Sequence, residues 1–156
     1  MHLEGTTSIA ASPDEVWKYL TDPNSVGKCV PGLESMHVIE ADKKFGAVAS
    51  LGLGSVKVTF NAEVEWLELD PPNRAKMKVH GAAPGSSMDA TSEMKLSAGS
   101  GSHTDMDWTA DVFVVGKIAS LASRLLGGVT QKLAGDFFDC VKSNLEKESR
   151  NVQNPS

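Results

Sequence analysis

The sequence is short of most features that mark a specialised chain. It holds two cysteines, Cys29 and Cys140, a single tyrosine, and aromatic residues at only 6%. Two widely separated cysteines are too few for the disulfide framework of a small secreted domain. The chain therefore reads as reduced, with Cys29, beside Pro31-Gly32, a partly buried structural thiol rather than a metal ligand or reactive group. No apolar run approaches the roughly 20 residues that span a bilayer. The start, Met1-His2-Leu3-Glu4-Gly5, lacks the basic-then-apolar order of a secretory leader, so a cytoplasmic protein is expected. Basic residues are in deficit as well: 15 Lys and Arg stand against 20 Asp and Glu, for a net charge of −5. Duplex nucleic-acid binding normally rests on a basic surface, and that class is disfavoured.

What is present is 156 residues with 40% hydrophobic and 22% charged side chains, enough for one domain with a sizeable core. Residues 1–148 read as that domain and 149–156 as a polar, disordered tail. Residues 2–9 alternate in polarity, as a strand with one covered face does. Ser12-Pro13-Asp14-Glu15 is a helix start, with Ser12 as N-cap, Pro13 in the first helical position and Glu15 three residues beyond the cap. A second helical turn from Asn24 to Cys29 stops at Pro31-Gly32. From Leu33 to Val115 the period is two. Strands are expected near 33–41, 43–53, 55–69, 74–82, 86–97 and 103–115, joined by short turns that require antiparallel pairing. From Gly116 to about Lys147 the apolar residues Ile118, Ala122, Leu125, Val129, Leu133, Phe137, Val141 and Leu145 step by three or four. They predict one helix of about 48 Å, with Gly127-Gly128 or Gly135 as places to bend.

Strand parity separates apolar from charged residues. Val56, Val58, Phe60, Ala62, Val64 and Trp66 share a side, as do Ala75, Met77 and Val79. So do Met88, Ala90, Ser92, Met94 and Leu96, and then Thr104, Met106, Trp108, Ala110, Val112 and Val114. The charges take the opposite parity. General acid–base or covalent catalysis needs a titratable group or an activated nucleophile at the reacting atom. The inner face offers only the hydroxyls of Ser92 and Thr104. His80 and His103 point outward, His2 is terminal, and His37 is ambiguous. Several inner residues are small (Ala62, Ala75, Ala90, Ser92, Ala110), and the facing helix adds Ala119, Ala122 and Gly128. Such a face leaves volume unfilled, and Met77, Met88, Met94 and Met106 suit an adaptable apolar pocket. Gly52-Leu53-Gly54-Ser55 and the stretch 81–87 lack the Gly-Lys-Ser/Thr ending of a phosphate loop and read as hairpin turns. Lys117, Arg124 and Lys132 share one side of the last helix, a solvated face that could also meet anionic lipid or an acidic partner.

Gly5, Ser12-Pro13-Asp14-Glu15-Val16-Trp17, Leu20, Asp22-Pro23 and Cys29-Val30-Pro31-Gly32 together have a familiar arrangement. Asp70-Pro71-Pro72, Val115-Gly116-Lys117-Ile118-Ala119 and Phe137-Phe138 extend it. From Leu3 to Leu145 the chain resembles the carbon monoxide dehydrogenase CoxG family, within the START-like (Bet v 1-like, SRPBCC) superfamily. The resemblance implies an α+β helix-grip fold: a curved antiparallel sheet of about seven strands wrapped around a long C-terminal helix, with two short helices after the first strand. It implies an accessory protein for a carbon monoxide dehydrogenase-type molybdenum hydroxylase, acting in membrane recruitment or quinone binding, with no cofactor, no metal and no catalytic residues of its own. Larger members carry a membrane-binding C-terminal extension that this sequence does not include, so at most weak peripheral contact at the inner membrane face is expected.

The leading expectation is thus non-catalytic binding of a quinone or lipid-like molecule. The residues expected to line its cavity are Val58, Phe60, Met77, Met88, Ala90, Met106, Trp108, Val112, Leu121, Leu125 and Val129. The alternatives are a protein adaptor that recruits the oxidoreductase without a ligand, and a START-like cyclase or hydrolase. The last would need His37 to point inward beside a carboxylate.

Overall fold

The computed structural model describes residues 2–53, 55–99, 101 and 103–153, with backbone alone at residues 53, 56, 121–127, 129–130 and 147–153. The elements run β1 (His2–Ile9), α1 (Pro13–Thr21), α2 (Pro23–Val26), a 3₁₀ turn (Gly27–Cys29), β2 (Leu33–Glu40), β3 (Lys44–Leu53), β4 (Val56–Asp70), β5 (Arg74–Ala83), β6 (Ser86–Ala98), β7 (Thr104–Gly116) and α3 (Ala119–Gln153). The seven strands form one antiparallel sheet in the order β1-β7-β6-β5-β4-β3-β2. This is the helix-grip arrangement. β1 and β2 follow each other in the sequence yet occupy opposite edges of the sheet, so α1, α2 and the 3₁₀ turn must carry the chain from one edge to the other.

Local chemistry accounts for the helix boundaries. The Ser12 hydroxyl accepts a hydrogen bond from the Glu15 backbone N–H at 3.3 Å, with Pro13 in the first position of α1. Asp22 does the same for α2, accepting from the Asn24 N–H at 3.0 Å and the Ser25 hydroxyl at 2.9 Å. α1 turns Val16, Trp17, Tyr19 and Leu20 inward. There they meet Ile9, Leu96, Met106 and, from the far end of α3, Val141 and Leu145 in the main core. Burying each such aliphatic side chain contributes about 1.5–3 kcal/mol. A smaller cluster centres on Val58 and Phe60, with Leu51, Ala83, Met88 and Ile118 packed against it.

Two expectations change, and the sides of His37 and Glu68 are settled. The cysteines are not free: Cys29 and Cys140 form a disulfide with their Cα atoms 5.4 Å apart. Spacing in the sequence could not reveal this, because the fold brings the 3₁₀ turn against α3. The expectation of a reduced chain is overturned, and the cytoplasmic reading loses the support it drew from unpaired cysteines. The last helix begins at Ala119, after Gly116 adopts a positive φ of 97°. It continues to Gln153, past the expected helix end near Lys147, while 154–156 lie outside the described residues. His37 is exposed and pairs across the sheet with Gly46, its imidazole lying where a Cβ at position 46 would collide with it. It therefore faces away from Met36 and Phe45, its inward-facing neighbours on β2 and β3. Finally, strict alternation along β4 would turn Glu68 to the same side as Trp66. The register shifts between these two residues, so Glu68 pairs with Lys76 and its carboxylate meets the Arg74 guanidinium at 2.8 Å on the outer face.

The charged parity is otherwise as expected. Arg74 also holds Glu93 through two bonds of 3.0 and 3.1 Å, and this hydrogen bonding keeps the Glu93 carboxyl below its ordinary pKa. Hydrogen bonding to Asp111 raises the pKa of the exposed His2. An exposed pair such as His2 with Asp111 contributes little stability. The buried polar contact that matters more is Thr104, fully buried, whose hydroxyl donates to the Ala11 carbonyl at 2.6 Å. Thr104→Val keeps the shape and takes this donor from a buried carbonyl. It is expected to lower unfolding free energy by about 1–3 kcal/mol in urea titrations, with the far-ultraviolet circular dichroism unchanged.

Candidate functional site

Alternation along the strands lines up one apolar face, and the curvature of the sheet leaves a space of about 470 Å³ above it. Volumes of this size are typical of small-molecule sites. Its floor is Leu3 of β1, Met106, Trp108 and Ala110 of β7, Ser92 and Met94 of β6, Ala75 and Met77 of β5, and Val64 and Trp66 of β4. Phe45 and Ala47 of β3 and Leu33 and Met36 of β2 continue it to the far edge. One wall is the chain that crosses between the edges: Leu20, Thr21, Pro23, Val26, Gly27, Val30 and Pro31. The roof is Leu133, Ala134, Phe137 and Phe138, from the middle of α3. Phe138 stacks at a tilt on Trp108, with ring centroids 5.6 Å apart, and meets Phe137 edge-on at 5.1 Å.

The position of Trp108 depends on a residue of a different strand. Gly5 pairs with it across β1 and β7, and a Cβ at position 5 would stand 2.8 Å from the indole. The ring lies over bare backbone, and only glycine leaves it that room.

Among the described residues that line the space, none is ionisable. The two hydroxyls are already engaged: Thr21 donates to the Trp17 carbonyl at 2.7 Å and Ser92 to the Thr109 carbonyl at 3.0 Å. The groups with shifted pKa values, His2, Arg74 and Glu93, belong to the outer face. No group of three or more His, Cys, Asp or Glu among the described residues is placed to hold a metal ion. The arrangement can exclude water and enclose an apolar body. Its described lining residues present no acid, base or activated nucleophile to one.

Of the residues expected to line the cavity, Met77, Met106 and Trp108 do so. Val58, Phe60 and Met88 instead pack together in the smaller cluster towards the start of α3. Ala90 and Val112 pair across β6 and β7, half-buried, and are not among the lining residues. The side chains of Leu121, Leu125 and Val129 lie outside the described residues. Among the described residues, the lining thus lies apart from the Val58–Phe60 cluster. The crossing segment and β2–β3 were missed because parity ranks residues along strands and says nothing about which end of the sheet is left unfilled. The Phe137-Phe138 pair was the one available signal. Of the basic stripe, Lys132 pairs with Asp136 one turn on, at 3.6 Å, and Lys117 packs against Gly85 in the β5–β6 turn. The Arg124 side chain lies outside the described residues.

The family model for CoxG, the G component of carbon monoxide dehydrogenase, matches residues 5–146. No curated protein matches the chain. Among solved structures, a conserved protein from Geobacillus kaustophilus is 28% identical with a TM-score of 0.87, over 94% of this chain and 96% of that one. The ZhuI aromatase/cyclase from Streptomyces sp. R1128 is 19% identical with a TM-score of 0.72, over 97% and 95%. Ara h 8.0201 is 14% identical with a TM-score of 0.67, over 94% and 98%. The last two likenesses are of fold alone.

Gly5→Val is expected to push the Trp108 indole out of its place, shifting the tryptophan emission and lowering stability by about 1–3 kcal/mol. Emission spectra and urea unfolding check both. An unchanged spectrum would mean that the indole does not depend on the bare backbone at position 5.

Proposed function

The chain belongs to the carbon monoxide dehydrogenase CoxG family, and from that premise we propose that it holds an apolar small molecule, quinone or lipid-like, in the cavity beneath α3. The observation that carries the proposal is a space of about 470 Å³ walled almost wholly by apolar side chains, in which both lining hydroxyls are engaged by the protein itself. Water in such a space has almost nothing to bond to, so an apolar occupant is favoured over solvent. The role is non-catalytic: it serves a carbon monoxide dehydrogenase-type molybdenum hydroxylase, by carrying an electron acceptor to it or recruiting it to a membrane. No helix among the described residues is long and apolar enough to cross a membrane, so contact with one would be peripheral, at its inner face.

A cyclase or hydrolase reading gains no support from the lining, because His37 lies on the outer face against Gly46 and the described lining contains no ionisable group. The adaptor reading differs from ligand carriage in what it requires of the cavity.

Three tryptophans, Trp17, Trp66 and Trp108, report on binding. Short-chain menaquinone and ubiquinone analogues are expected to quench their fluorescence saturably, and Trp108→Ala to reduce that response. Ala47→Phe, which fills the floor, should weaken binding about tenfold or more, equivalent to about 1.4 kcal/mol. No saturable response to either analogue, and no apolar molecule in organic extracts of the purified protein, would overturn ligand carriage. Co-purification with the hydroxylase that is indifferent to Ala47→Phe would favour the adaptor.

A further inference from the structure

Between Leu20 and Phe45 the chain has a single buried residue, Cys29. This stretch forms a corner of the cavity through Pro23, Val26, Val30 and Pro31, yet no residue of α2 is buried. Two of the corner's backbone bonds, Val30 to Gly27 and Leu33 to Val30, are both 3.4 Å long and close within the corner itself. Gly32 is tied to β3 by the Ser50 N–H at 2.9 Å. Against α3, the corner is held covalently: Cys29 is bonded to Cys140, just beyond the roof residues Phe137 and Phe138.

We infer that the Cys29–Cys140 disulfide is a redox-operated latch on the cavity: closed when oxidised, and opened when a dithiol reduces it and frees the corner from α3. The inference rests on the cavity being the binding site proposed above.

The surrounding groups give the reaction a direction. Cys29 is 4% exposed, whereas Cys140 is only partly buried. An incoming thiolate therefore meets the Cys140 sulfur first. A bond forms between the reductant and Cys140, the Cys29–Cys140 bond breaks, and Cys29 leaves as a thiolate. The second thiolate of the reductant then displaces Cys140. The dithiol departs as a cyclic disulfide, having given up two electrons, and its two protons pass through solvent to the cysteine thiolates.

The leaving sulfur has a donor waiting. The hydroxyl of Tyr19, the one tyrosine of the chain, lies 3.3 Å from Cys29 Sγ. A disulfide sulfur carries no hydrogen, so the phenol is the donor. The Asn144 amide donates to that phenol at 2.9 Å and lies 3.6 Å from both sulfurs. The relay from Asn144 through Tyr19 to Cys29 stabilises the developing thiolate and makes Cys29 the better leaving group.

The test compares oxidised and dithiothreitol-reduced full-length protein by hydrogen–deuterium exchange and by dissociation of 1-anilinonaphthalene-8-sulfonate. Reduction is expected to speed exchange across residues 23–33 about tenfold or more beyond any change in β4–β6, and to speed release of the probe. Tyr19→Phe, with no phenolic proton, should be reduced by dithiothreitol roughly threefold or more slowly. Free thiols at both cysteines in the air-equilibrated protein, unchanged exchange at 23–33, or uniform exchange over the whole sheet would each overturn the latch. The exchange reading does not require the probe to bind. Failure of the probe in both states would thus count against the binding site, and failure of the exchange change against the latch.

Discussion

Two strands that are consecutive in the chain lie at opposite edges of the same sheet, and this placement dictates the rest of the molecule. The segment between β1 and β2 cannot turn back as a hairpin. It must cross the face of the sheet, and α1, α2 and the 3₁₀ turn make that crossing. α3 covers the remainder of the same face. A curved sheet, a crossing segment and one long helix do not fill the space among them. The cavity is the volume that this topology leaves, lined by whichever residues the pleat turns inward.

What keeps that volume apolar is the division of the sequence into two parities. Charged residues pair across the outer face, Arg74 with Glu68 and Glu93 being the most developed case. The inner face keeps hydroxyls that are bonded to nearby carbonyls. The main core, around Val16, Ile9, Val141 and Leu145, lies directly beside this space. The same inner face thus serves both stability and binding, with Leu20, Ala75 and Met106 belonging to the core and to the cavity lining alike.

The disulfide ties the crossing segment to the helix that forms the roof, across a sequence separation of 111 residues. A loop of that length restricts the unfolded chain strongly in the entropic account of cross-links, by roughly 4–5 kcal/mol. The same bond therefore bears on global stability and on the freedom of one corner. Tyr19 and Asn144 sit beside it, on α1 and α3, so the local chemistry of the bond is set by two helices that meet only in the folded state.

Local patterning was enough to specify the elements and their faces. Period-two alternation from Leu33 to Val115 marked out six strands, short joints made them antiparallel, and the change of period after Gly116 marked the last helix. These are local consequences of pleat and helix geometry, and they are legible because each residue's side is set by its neighbours. Where along the sheet the unfilled volume lies was settled only by folding. So were the bulge that turns the Glu68 carboxylate outward, the seating of Trp108 on Gly5, and the reach of Cys29 to Cys140. Each depends on strand register or on the meeting of distant segments, and distance in space between residues far apart in the chain is not encoded in any local pattern.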